Sequence, residues 1–193
     1  KNVTITCEDV AYAGPYGSPF VTDMDKGRRE GSLEDFINIV KICDKLPNID
    51  IQSHISCEPQ DVPVKERPVT MVYNTMKYSG KPLMGSVYGY ENAMHCIELA
   101  AIPFGGLDAI KEKPVISSIP CTLTPLSYDE RQLGAIRAYA ETGQPQLVNS
   151  LSIAGMTTPA TLAGLVSVQN AEVLAGIVYA QCVNPGCPIV YSA

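Results

Sequence analysis

The sequence predicts an α/β protein, a (β/α)8 TIM barrel of which the chain carries roughly five to six βα units. Three observations lead there. Short apolar runs begin at residues 51, 83, 115, 147 and 189, spaced by 32, 32, 32 and 42 residues. Amphipathic stretches of helical length lie between them, and prolines and glycines mark the junctions. Strands alternating with helices at this interval describe parallel βα units, because a parallel neighbour is reached only through a long crossover.

Taken in order, a first helix over residues 33–46 follows Ser32. Strands are expected at 51–55, 83–87, 115–119, 147–153 and 189–191, with helices at 67–79, 91–104, 128–141 and 161–183 between them. Pro82, Pro114, Pro145 and Pro188 each precede a strand, where the ring stops the preceding helix. Gly80, Gly143 and Gly186 sit just past helix ends, where a left-handed cap favours glycine. Ser127, with Glu130 three residues on, has a capping-box pattern, and Thr158 precedes the last helix. The rhythm also suits a doubly wound sheet, but no GxGxxG loop is present. Residues 11–17 (AYAGPYG) lack the Lys-Ser/Thr ending of a phosphate loop and read as turn-rich loop. Lys26-Gly27-Arg28-Arg29-Glu30 reads as a solvated, helix-flanking charge cluster.

Composition sets the outer limits. With 193 residues, 46% hydrophobic and 18% charged, the chain is globular and has a sizeable core. It starts at Lys1 and ends straight after the apolar run Pro188-Ile189-Val190-Tyr191, which predicts that residues 1–193 are the central part of a single barrel domain, excerpted from a longer chain. A net charge of −6 argues against a nucleic-acid partner, since phosphates need a basic face. The cysteines Cys7, Cys43, Cys57, Cys96, Cys121, Cys182 and Cys187 are odd in number, scattered and without a CxxC pair, as expected of reduced thiols in a cytoplasmic protein. Residues 161–183 are the longest apolar stretch, but Gln169, Asn170, Glu172 and Gln181 interrupt it; a buried helix is expected, not a membrane span.

Barrel enzymes build their sites at the C-terminal ends of the strands. That rule selects His54, Ser56 and Glu58; Ser86, Tyr88, Tyr90 and Glu91; Ser117, Pro120 and Thr122; Asn149, Ser152 and Met156; and Tyr191 with Ser192. The set is rich in hydroxyls and tyrosines and poor in bases. There is no GxSxG elbow, so nothing arranges a base beside a nucleophile. His54-x-x-Cys57 and His95-Cys96 pair zinc-type ligands, yet a catalytic zinc needs about three converging on one point. Tyr88, Tyr90 and Tyr191 would share one mouth, with Tyr12 and Tyr16 in a loop over it. Aromatic faces of that kind attract quaternary ammonium ions, with Glu91 or Glu58 as counter-charge.

Three segments carry a resemblance: GMTTPATLAG at residues 155–164, NAEVLAG at 170–176 and VNPGCPIVY at 183–191. YGSPF at 16–20, Asp23, Gly27-Arg28-Arg29, Pro59 and Glu66-Arg67 agree in order. Together they resemble the trimethylamine methyltransferase superfamily over nearly the whole chain. The resemblance implies a (β/α)8 barrel enzyme that moves a methyl group from a methylated amine to the cob(I)amide of a separate corrinoid protein. The amine would be a quaternary one such as a betaine, or trimethylamine. No tightly bound cofactor or metal is expected, and the protein would be a cytoplasmic homo-oligomer with no nucleic-acid or membrane partner. In pyrrolysine-containing members that residue lies C-terminal to the stretch covered here. Met156 stands where many members carry alanine, and at the mouth it either shapes the pocket or fills space.

The expected substrate-binding residues are therefore His54, Tyr88, Tyr90, Glu91, Asn149, Met156 and Tyr191, with no catalytic residue assigned. Two other readings stay open from the sequence. One is an inactive relative that only binds quaternary amines; the other is a zinc-dependent corrinoid methyltransferase.

Overall fold

Ser32 starts the first helix. Its hydroxyl accepts the Asp35 N–H, while the Asp35 carboxylate accepts from the Ser32 amide, so two amides left free at the helix start are satisfied reciprocally. The helix that follows, α1 (Leu33–Lys45), buries Phe36, Val40 and Cys43, the four- and three-residue spacing of one face. The computed structural model describes residues 3–4 and 10–192; Lys1, Cys7 and Ala193 lie outside the described residues. The chain divides into two units, Lys1–Gly85 and Ser86–Ala193.

In the first unit, β1 (Phe20–Asp23) and β2 (Gly27–Glu30) form an antiparallel hairpin ahead of α1. Residues 27–30 of the charge run form a strand, and the run stays mostly exposed just ahead of α1, as expected of a solvated helix-flanking cluster. Asp23 accepts from the amides of Asp25 and Lys26, and Gly27 takes the positive φ that closes a three-residue loop. Arg29 then clamps Asp35 through two nitrogens, at 2.6 and 2.7 Å, tying hairpin to helix. Helix α2 (Arg67–Tyr78) has Pro68 in its first turn and packs Met71 with Phe36, Val40 and Ile55. Parallel pairing links Ala13 to Ile51 and Gln52 to Leu83 of β3 (Leu83–Met84). The loop expected at residues 11–17 therefore contains a strand position. The small residues around it show no apolar run, so periodicity could not mark it.

The second unit holds α3 (Tyr90–Ala101), a single 3-10 turn (Ile102–Phe104), α4 (Leu107–Ile110), β4 (Ile116–Ser117), α5 (Glu130–Glu141), β5 (Gln146–Val148), α6 (Leu162–Val183) and β6 (Ile189–Tyr191). The capping residues are Asp129 and Thr161, two residues after Ser127 and three after Thr158; each accepts from the amide of the third residue of its helix. Ser127 donates instead to the Leu123 carbonyl. β5 and β6 pair in parallel, Val148 opposite Tyr191, and bridges join Ser118 to Gln146 and Cys121 to Asn149. Buried glutamines anchor strands to the preceding helices: Gln52 donates to Val40 in α1, and Gln146 to Ile136 in α5. β3, β4 and β5 are two to three residues long where five to seven were expected, because pairing stops once each chain turns toward its loop, while β6 keeps its expected bounds.

Helix α6 corrects one expectation. Only Glu172, Val173, Gly176 and Ala180 are buried among its 22 residues, so it is a one-sided helix rather than a buried one. Its length and composition alone would suit a membrane crossing. Its buried side nevertheless packs Ala180 with Ile136, Ala140 and Cys187. Among the described residues the parallel strands do not close into a barrel.

Candidate functional site

The C-terminal ends of β4, β5 and β6 come together in the second unit. Asn149 follows β5, its amide donating to Pro120 and its carbonyl accepting from Thr122, so the segments after β4 and β5 run side by side. Ser192 closes the row by donating its amide to Val148. The Asn149 side-chain amide lies 3.8 Å from the Cys121 sulfur.

Against this row sits a group that in sequence is only a polar interruption of an apolar helix. Glu172 of α6 is 2% exposed. Its Oε2 accepts from Thr122 (2.7 Å), Thr124 (2.9 Å) and Ser150 (2.6 Å), and its Oε1 from the Leu126 amide (2.7 Å). Burial raises the pKa of Glu172, but the bonds from Ser150, Leu126, Thr122 and Thr124 outweigh it and hold the carboxyl below its usual value. Tyr128 donates to the Glu172 carbonyl, and burial first, then the Glu172 charge, pushes the phenol up to about 12. The one signal for this cluster in the sequence is that hydroxyls recur after two successive strands, Thr122 and Thr124, then Ser150 and Ser152. Donors of that number need an acceptor.

Of the expected residues, Asn149 and Tyr191 stand beside this cluster. Tyr191 is opposite Val148, and its hydroxyl donates to Asn170 of α6. Tyr88 is 42% exposed just before α3. Tyr90 is engaged elsewhere: its hydroxyl donates to Glu141, and the Arg137 guanidinium covers its ring at 5.2 Å. The three tyrosines thus do not assemble as a set, because Tyr90, the first residue of α3, lies along α5. Glu91 is exposed on α3, and Met156 is 77% exposed in the turn at residues 153–158.

His54 belongs to the first unit, fully buried, with neither ring nitrogen hydrogen-bonded; burial lowers its pKa to about 4. Glu58, the other proposed counter-charge, already pairs with Arg67 at 3.0 Å. Cys57 is buried and His95 exposed on α3. Among the described residues no group of three or more His, Cys, Asp or Glu side chains is placed to hold a metal ion. The six described cysteines are free thiols. A cleft of about 610 Å³ between Val10, Tyr12, Pro47, Asn48 and Asp50, and one of about 360 Å³ beside Arg29 and Asp35, also lie in the first unit; Tyr12, expected in a loop over the mouth, lines the first, and none of the expected substrate-binding residues lines either.

This arrangement offers oriented hydroxyls and a desolvated anion, with no base beside a nucleophile. It suits binding and orienting a cation better than abstracting a proton. The chain is 47% identical over 193 residues to the glycine betaine methyltransferase of Desulfitobacterium hafniense (strain Y51), covering 100% of the chain and 40% of that protein. It is 30% identical over 186 residues to the proline betaine:corrinoid methyltransferase of Eubacterium limosum, across 92% of the chain and 38% of the relative. Against trimethylamine methyltransferase MttB of Desulfitobacterium hafniense (strain DSM 10664 / DCB-2) the identity is 28% over 180 residues, 92% of the chain and 36% of the relative. The chain thus spans about two fifths of the length of these relatives. The trimethylamine methyltransferase (MTTB) family matches residues 1–193, and the chain belongs to that family.

Proposed function

We propose that the full-length protein moves a methyl group from a quaternary amine of the betaine type to the reduced cobalt of a corrinoid carried by a partner protein. The observation that carries this reading is the 47% identity to a glycine betaine methyltransferase across the whole chain. The site composition supports it. A quaternary ammonium leaves as a tertiary amine without any proton transfer, so no general base is required. The corrinoid, a substrate on its own protein, supplies the nucleophile.

What remains for this chain is to hold the cation and point one methyl outward, where orientation alone is worth several kcal/mol, on the order of 7–11 at best. Tyr88, Asn149, Ser152 and Tyr191 are the residues assigned to that task. The parallel pairing of β5 with β6 in one unit, and of Gln52 with Leu83 in the other, supports the reading of the chain as part of a (β/α)8 barrel. A cytoplasmic homo-oligomer completes the proposal, in keeping with the free thiols.

The test supplies full-length protein with cob(I)alamin and a panel of methylated amines. Methylcobalamin formed fastest with a betaine supports the reading. Tight betaine binding without methyl transfer would identify a binding protein instead, and no turnover with any methylated amine overturns the proposal.

A further inference from the structure

We propose that Glu172 is a positioning residue of this site: its carboxylate collects the hydroxyl protons around it, so that the hydroxyls of the segments after β4 and β5 face an organic cation as acceptors. The inference rests on the reading of the site as one that binds a methylated amine.

A hydroxyl has one proton and two lone pairs. Thr122, Thr124 and Ser150 all lie within 2.9 Å of Glu172 Oε2, and a carboxylate can only accept, so each spends its proton there. The Ser150–Ser152 contact of 2.7 Å could run either way in isolation. With the Ser150 proton committed to Glu172, Ser152 must be the donor. Likewise the 3.0 Å contact between Thr122 and Thr124 has no proton left to share. One buried carboxylate therefore sets the direction of the whole network, from Ser152 through Ser150 inward. Thr122 and Ser150 are buried and Ser152 half-buried, which makes Ser152 the end of the relay nearest solvent.

The outward consequence is a lining of lone pairs, backed by a negative charge. None of the ion pairs among the described residues involves Glu172, so no side-chain cation cancels that charge. A quaternary ammonium has no N–H to donate and spreads its charge over methyl C–H groups, which contact acceptor oxygens weakly and favourably. Hydroxyl protons pointing at it would repel it. Glu172 serves this class of ligand without touching it.

Glu172→Gln inverts the polarity with little change of shape. The amide oxygen still accepts from Leu126, while the new NH2 puts two protons where Oε2 stood, so hydroxyls must turn to accept them and release their own protons outward. In full-length protein, the Kd for tetramethylammonium and the KM for glycine betaine are expected to rise about tenfold, with kcat within about threefold and the melting temperature little changed. Glu172→Asp, which keeps the charge, should recover part of that loss. A purely structural role would lower the melting temperature without moving Kd or KM.

Should Glu172→Gln fail to fold, Ser152→Ala shortens the relay at its half-exposed end and is expected to weaken tetramethylammonium binding about threefold. Unchanged Kd in folded Glu172→Gln, or in Ser152→Ala where the first variant does not fold, overturns the inference. Wild-type protein that binds tetramethylammonium in a Glu172-dependent way but transfers no methyl group overturns only the proposed reaction. Wild-type turnover with an unchanged KM in Glu172→Gln overturns only the role of Glu172.

Discussion

At the residue scale, one buried carboxylate, Glu172, gathers the hydroxyls of Thr122, Thr124 and Ser150 from the segments after β4 and β5. Asn149 and Ser152 lie within one apolar run and Tyr191 ends another, and in the structure they stand by β5 and β6. Glu172 was not legible: a glutamate in an apolar helix looks the same whether it faces water or three hydroxyls, and only the fold brings Thr122 and Ser150 to it from about 50 and 22 residues away. Tyr90 failed for the converse reason, since its partner Glu141 is 51 residues distant. Two predictions belong here. Tyr88→Ala should weaken quaternary-ammonium binding by about 0.5–1 kcal/mol, the value of one exposed ring face, while Tyr90→Phe leaves it unchanged; a titration of both variants separates them. Asp35→Ala removes a cap and a bidentate ion pair and should cost about 2 kcal/mol at neutral pH by denaturant unfolding. The Arg29 guanidinium holds the Asp35 carboxyl well below the carboxylate range. Its contribution is therefore present above the unfolded value of about 4 and lost as pH falls through the folded one. Wild type should lose stability on acidification more steeply than Asp35→Ala.

Among the elements, the bounds expected for α1, α2, α3, α5 and α6 agree to within a few residues, while the single turn of α4 is too short to show a periodic face. The apolar runs predict longer strands than form at β3, β4 and β5, and no apolar run marks the β1–β2 hairpin. The apolar run at residues 51–55 continues past the paired positions into a turn where Ile55 is buried against Phe36, whereas the run at 147–153 ends on Leu151 and Ile153, which are exposed. The hairpin is made of charged residues, and only Asp23 and Gly27 at its turn announced it. Helix α6 was read as buried from composition, yet one side alone packs. That side depends on close approach: a Cβ on Gly176 would collide with the Tyr128 hydroxyl and lie 2.8 Å from a Val148 methyl. Gly176→Ala should destabilise the protein by about 1–3 kcal/mol despite the better helix propensity of alanine, measured as a fall in melting temperature. On the first unit, Phe36→Ala empties a fully buried ring position and should cost about 3–5 kcal/mol in denaturant unfolding.

For the whole molecule, the repeated interval of 32 residues and the three family segments pointed independently to one architecture, and the family match over residues 1–193 bears out the second. The 32-residue interval is legible because each βα unit needs a similar length of chain to go out along a strand and return along a helix. The partner and the substrate lie at a different level: they are properties of a complete site, and the chain spans 40% of the length of its glycine betaine methyltransferase relative. The most direct measurement follows the methyl group itself, with full-length protein, cob(I)alamin and glycine betaine carrying isotopically labelled methyls. The account predicts labelled methylcobalamin and dimethylglycine formed in equal amounts. Neither product, under conditions where the protein binds betaine, would contradict it.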